Sequence, residues 1–316
     1  MSMQLNQRAL RICERMLEAS ATLRIASSAP AGGARLVDCG VQAAGGLEAG
    51  RLLAECCMAG LGFVRFVPGQ QQLWPGPAVQ VRTDQPLAAC MAAQYAGWEI
   101  NVNDFFAMGS GPMRAAAGRE ELFAAIGHTE AADAVVGILE TRALPDADVA
   151  GYIAESCDVS ASDVTLLIAP TASLAGNVQI VARSVETTLH KLFELGVDLG
   201  LVNSGYGTAP LPPVARDDLA GIGRTNDAIL YGGEVTLWVE GDDAYWKNIG
   251  PQIPSISSTD YGEPFAKIFK RYDHDFYKID RKLFSPAVVQ LINTHTGSMF
   301  RFGETNSKIL HQSFAT

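Results

Sequence analysis

The chain has 316 residues, 48% hydrophobic and 18% charged, which is enough apolar mass for two ordinary cores or one large one. Thirty-four acidic against 24 basic residues leave a formal charge of -10. That balance argues against a general affinity for nucleic acid or an anionic membrane, both of which need clustered Lys and Arg.

In the first twenty residues, Leu5, Ala9, Ile12 and Met16 recur at helical spacing among Arg8, Arg11, Glu14, Arg15 and Glu18. This is the pattern of an amphipathic helix rather than a signal peptide. Strands are expected over 35–40, 61–67, 78–83, 98–102 and 132–140, and helices over 48–60, 84–97 and 146–157. Asp84 is the expected N-cap of the second of these helices, with Pro86 in its first turn and Gly97 as its stop. Six cysteines (Cys13, Cys39, Cys56, Cys57, Cys90 and Cys157) form no CxxC pair and are expected to be reduced, buried small hydrophobes.

Farther on come the apolar run "VTLLIAP", one long helical pattern over 174–193, the segment "EVTLWVEGDD", an irregular stretch over 251–264 and a terminal hairpin at Thr296-Gly297. Strands cluster without a regular βαβ repeat, which favours α+β over a doubly wound sheet. We expect two α+β domains, 1–165 and 166–316, with the long helix in the second. The uncharged run 164–182 holds Pro170, Thr171, Ser173, Gly176, Asn177 and Gln179, too polar for a membrane span. A soluble, cytoplasmic protein is expected.

Several chemistries find no support. The five histidines make no HxH or HExxH pattern, and neither a Walker A sequence nor a GxSxG elbow is present. Among the glycine-rich segments, "AMGSGPMRAA" (107–116) places Gly109, Ser110 and Gly111 before Pro112 and an Ala-rich helix start bearing Arg114. Backbone N–H groups at such an entrance can cradle an anion. A Gly-Pro turn with a surface arginine is the alternative.

The helical pattern over 174–193 carries two opposed stripes. Leu174, Val178, Val181, Val185, Leu189 and Leu192 form the apolar one, and Gln179, Arg183, Glu186 and His190 the polar one. A surface helix with a solvated polar face explains this pattern simply. Against it, the residues beside the polar stripe are Ala175, Gly176, Ile180, Ala182 and Thr187, small or apolar. A pocket floor is then the other reading. Arg183 would keep Glu186 ionised while partial burial opposed it, and a carboxylate so balanced can deprotonate water.

The segments "DCGVQAAGGLEAG" (38–50), "PAVQVRTDQP" (77–86), "AMGSGPMRA" (107–115), "LPDADVA" (144–150), "APTASLAGNVQIVARSVET" (169–187), "YGTAPLPPVA" (206–215), "GRTNDAILYGG" (223–233) and "DYGEPFAKIF" (260–269) carry a resemblance. In this order, and over essentially the whole chain, they resemble the methenyltetrahydromethanopterin cyclohydrolase family. The resemblance implies two α+β domains with a ligand cleft between them and a cytoplasmic homotrimer. The implied substrate is tetrahydromethanopterin, or its dephospho form, as a one-carbon carrier, with no permanently bound cofactor and no metal. The implied reaction is reversible hydrolysis of the cationic N5,N10-methenyl bridge to the N5-formyl form.

The family's catalytic Arg-x-x-Glu falls on Arg183 and Glu186. The substrate carbon is already activated by its positive charge, so a carboxylate that steadies the cation and takes a proton from water suffices. The anionic tail of the pterin implies local positive charge, for which the entrance at Gly109, Ser110, Gly111 and Arg114 is the first candidate and Arg224 the second. Asp84, Thr171, Ser173, Tyr206 and Asn226 are candidates to line the pterin pocket, each with a cap or turn role as its alternative. Two rival readings are a pterin-binding carrier without catalysis and a metal-dependent amidohydrolase. The carrier predicts binding without turnover, and the amidohydrolase needs clustered ligands that the histidine spacing does not offer.

Overall fold

The computed structural model describes residues 3–30 and 32–315. The chain forms two compact units, and both are discontinuous. The first runs to Gly62 and resumes over Leu87–Gln179; the second takes Phe63–Pro86 and continues from Ile180. One join after 165 is expected from the sequence, whereas the chain changes unit after Gly62, Pro86 and Gln179. Each unit is built on its own six-stranded mixed sheet with helices, an α+β architecture.

In the first unit the strands are β1 (Ala26–Ser28), β2 (Arg35–Asp38), β5 (Trp98–Val102), β6 (Phe105–Ser110), β7 (Val135–Glu140) and β8 (Val164–Ala169); the second holds β3 (Gly62–Pro68), β4 (Pro77–Thr83), β9 (Val202–Pro210), β10 (Glu234–Val239), β11 (Val288–Asn293) and β12 (Met299–Gly303). The first sheet runs β1-β2-β8-β7-β6-β5, with β2, β8 and β7 parallel. β8 is buried along its whole length, as a near-continuous apolar run requires when both sheet faces are covered. Its Leu167 and Ala169 enter a core with helices Leu5–Glu18 and Leu47–Cys57, while Leu166 and Ile168 face helix Ala147–Ser156. Asp146 caps that last helix through Asp148 N and Val149 N at 3.1 and 3.0 Å. All six cysteines are buried and none is in a disulfide, as expected.

The segment 84–97 is helical, but not as expected. It forms a wide π-helix over Leu87–Gln94, closed by a bond from Tyr95 N to Cys90 O at 2.8 Å. Asp84 does not cap it; the Oγ of Thr83 accepts from Gln85 N instead. The carbonyls of Met91, Ala92 and Ala93 at its far end are taken by the Arg114 guanidinium.

The second sheet runs β12-β11-β10-β9-β4-β3, with β10 and β11 parallel. The expected hairpin is β11–β12, turning at Gly297 with φ +73°. Helix Ser184–Glu194 lies on one face of this sheet, and the sequence of β9 explains how closely. A Cβ on Gly205 would sit 2.5 Å from Val185 Cγ1, and one on Gly207 would run into Ser184 Oγ. Alternate glycines therefore open the face on which this helix packs, and Tyr206 between them points to the other face.

Candidate active site

The long helix expected over 174–193 is two helices, Leu174–Val181 and Ser184–Glu194, broken at Ala182–Arg183. Arg183 sits at φ -88°, ψ 7°, outside the helical wells, with its N–H on Ile180 O at 3.0 Å. It is the N-cap of the second helix, whose first turn it opens by accepting from Thr187 N at 2.8 Å. Glu186 is consequently the third residue of a new helix rather than the middle of an old one. There the partial positive charge of the unpaired N–H groups favours a carboxylate. Spacing along one continuous helix could not reveal this.

The polar stripe is not solvated. Gln179 is 1%, Arg183 7% and Glu186 5% exposed, which rules out the surface-helix explanation. Arg183 Nη1 lies 3.9 Å from Glu186 Oε2. At that separation the guanidinium supports the negative charge without clamping the carboxylate in a bidentate fork. The row continues outward. His190 Nε2 is 3.8 Å from Glu194 Oε1, and Glu194 Oε2 is 3.4 Å from Arg281 Nη1. Lys191, on the flank of the same helix, is buried and donates to Lys282 O and Ser257 Oγ. Loss of hydration pushes it down to about 8, opposed by the carboxylates of Asp280 and Glu194.

Of the other expected site residues, Asp84, just past the end of β4, and Tyr206, on β9, both belong to the second unit. Asp84 is exposed and accepts from Ser204 Oγ at 2.8 Å. Tyr206 OH accepts from Gln80 Nε2, whose Oε1 accepts from Arg65 Nε. With Trp74, Gln70 and Glu234, Tyr206 lines a cavity of about 430 Å³ on the sheet face away from Glu186. The structure therefore does not bring Tyr206 to the Arg183–Glu186 pair. Arg224 donates through Nη1 to the carbonyls of Pro213 and Val214 at 3.1 and 3.2 Å, and Asn226 Nδ2 to Ile222 O at 2.9 Å.

In the first unit, Ser173 has the cap role named as its alternative. Its Oγ accepts from Gly176 N at 3.0 Å and donates to Pro170 O at 2.7 Å. Thr171 donates to Glu140 Oε1 at 2.5 Å. The anion entrance expected at 109–114 does not exist as a surface. Gly109 is closed in by Ile100 and Met113, and Gly111, at φ +92°, by Ile138. Ser110 is buried 3.3 Å from Cys57 Sγ, and the helix beyond has only five residues. Arg114 is fully buried; Nε donates to Glu120 Oε1 at 2.8 Å, Nη2 to Glu120 Oε2 and Nη1 to the three carbonyls of the π-helix end. A guanidinium so committed, under the rings of Tyr95 and Phe123, has no face left for a ligand.

The family model described as Cyclohydrolase (MCH) matches residues 4–314. The chain belongs to this family. A methenyltetrahydromethanopterin cyclohydrolase of Rhodopirellula baltica is 46% identical over 287 residues, covering 89% of this chain and 86% of that one. That of Methylobacillus flagellatus is 43% identical over 310 residues, with 98% and 94% covered, and that of Methanothermobacter marburgensis 42% over 316, with 98% of each.

Two buried groups of this cyclohydrolase family member escaped the sequence reading. Asp38 holds its loop by accepting from four successive N–H groups, Gly40 to Ala43, at 2.7–2.9 Å. Asp227 is fully buried and accepts from Phe265 N at 2.8 Å. Burial pushes it up to about 7 against hydrogen bonds from Ser313 and Phe265. The only signals available were the position of Asp38 at a strand end before Gly40 and of Asp227 inside a long helix. Neither has a spacing that announces a role. Among the described residues, no group of three or more His, Cys, Asp or Glu is placed to hold a metal, and no helix is long and apolar enough to cross a membrane.

Proposed function

We propose that this chain is a methenyltetrahydromethanopterin cyclohydrolase in which Glu186 activates the attacking water and Arg183 orients and tunes Glu186. The observation that carries the assignment is the buried Arg183–Glu186 pair, 3.9 Å apart at the start of a helix. The family membership and the printed names of its relatives support the substrate. The methenyl carbon is cationic, so a nearby carboxylate lowers the energy of the approaching cation and accepts a proton as water adds. The tetrahedral carbon then releases N10, to which Glu186 returns that proton. The chemistry asks for no Lewis acid, and we assign the enzyme no metal and no resident cofactor.

Arg224 is the cation we assign to the anionic tail; the carbonyls of Pro213 and Val214 fix its orientation without consuming the whole guanidinium. A cytoplasmic homotrimer is the state that the family resemblance supports. The test is loss of the methenyl chromophore on adding purified protein to the cationic substrate. Tight pterin binding with no turnover would instead make the chain a carrier.

A further inference from the structure

The reaction proposed above carries a proton balance that the Arg183–Glu186 pair does not close. A monocation and water become a neutral N-formyl amine. Of the two water hydrogens, one ends on N10 as the C–N10 bond breaks. The other must leave as a proton in every turnover, or enter in the reverse direction. Glu186 is 5% exposed, so it is poorly placed to exchange that proton with bulk solvent.

Resting on that reading, we propose that His190 is the outlet, passing the proton between Glu186 and solvent at Glu194. His190 follows Glu186 by one helical turn on the same face, the spacing at which side chains meet. Exposure rises step by step along the row: 7% for the Glu186 side chain, 23% for His190, 28% for Glu194 and 63% for Arg281. An imidazole exchanges protons near neutrality, which no other side chain of the row does. Its charged surroundings are few. Arg183, Glu186 and Glu194 lie along its own helix, with Lys191 on the flank, and turn Arg281–Leu283 brings up Arg281 and Lys282. On the sheet beneath, Gly205 lies against Val185 and Gly207 against Ser184, at the start of the helix. His190 is thus a positioning and relay residue that acts through Glu186, not on the substrate.

The test is His190→Gln in the full chain, assayed in dilute buffer and then with increasing imidazole, with the uncatalysed background subtracted. We expect kcat to fall about tenfold in dilute buffer, KM to stay put and imidazole to restore turnover, while the parent ignores imidazole. Parent-like turnover in dilute buffer overturns the relay. So does a loss that imidazole fails to repair, since that marks a structural role. Glu186→Gln run alongside separates the two claims. If it turns over like the parent, the base assignment fails whatever His190 does.

Discussion

Each unit pairs a buried arginine with a glutamate, and the two pairs are built to opposite ends. In the first, Arg114 holds Glu120 in a fork and puts Nη1 on three carbonyls under two aromatic rings. In the second, Arg183 stands 3.9 Å from Glu186, which is in the first turn of a helix. The tight pair has spent its donors on holding a helix end and a loop together. The second pair keeps the attraction of charge without the fork, at the start of a helix whose partial positive charge also favours a carboxylate. A buried Arg–Glu pair is therefore not a site in itself. What distinguishes the second is its place: a carboxylate in the first turn of a helix, 3.9 Å from its arginine rather than held in a fork.

Glu186→Gln is the largest expected break between them. Glutamine keeps the shape but cannot take a proton from water, so kcat should fall by about 10²- to 10⁴-fold, with thermal unfolding little changed. Turnover within a few-fold of the parent would put this pair in the same class as the other. The reciprocal change is Arg114→Met. It takes the guanidinium away from Glu120 and from the carbonyls of Met91, Ala92 and Ala93, of which Ala93 keeps its bond from Gly111 N, and should cost about 3 kcal/mol in urea unfolding, with kcat per folded molecule unchanged. A folded, fully stable Arg114→Met protein with raised KM would return Arg114 to ligand binding.

The two arginines also mark where the sequence was legible. The positions of β2, β3, β4, β5 and β7 follow from apolar runs bounded by turn residues, and the hairpin at Gly297 from its turn chemistry. The Arg-x-x-Glu spacing was visible too, because three residues apart on a helix means one face. The break at Arg183 was not, since "VARSVE" contains no Gly or Pro to announce it. Nor was the fate of Arg114. "GSGPMR" reads equally well as an anion entrance or a packed turn, and only the carbonyls of 91–93, contributed from a distant segment, decide between them. The face of Tyr206 was hidden for a related reason: strand alternation puts it opposite Gly205 and Gly207, but which face receives the helix is a tertiary fact.

Asp227 sharpens the comparison, because among the described residues no arginine meets this buried carboxyl and burial dominates. With its folded-state value pushed up to about 7 from the ordinary 3.8, the folded protein keeps a proton that the unfolded chain releases. The stability this supplies is complete below about pH 4 and is lost as pH rises toward about 7. Asparagine cannot titrate there, so Asp227→Asn should gain on the parent across that window by on the order of 4 kcal/mol and hold the gain above it. Urea unfolding at a series of pH values measures this. A constant offset at every pH would mean that Asp227 is ionised throughout and is partnered like Glu120.

The smallest effect is expected at Tyr206. Its hydroxyl accepts from Gln80, which in turn accepts from Arg65, all on the sheet face away from helix Ser184–Glu194. Tyr206→Phe removes one acceptor from the largely buried Gln80 amide, a loss of about 1 kcal/mol in unfolding free energy. Water activation at Glu186 has no contact with that network, so kcat and KM should both stay within about twofold of the parent. A KM raised tenfold at unchanged kcat would show that the pterin reaches this face. Binding energy equal in ground and transition states appears in KM alone, and the cavity beside Trp74 would then belong to the substrate. A fall in kcat with KM fixed would place Tyr206 in the chemical step, and the two faces of β9 could no longer be assigned separate work.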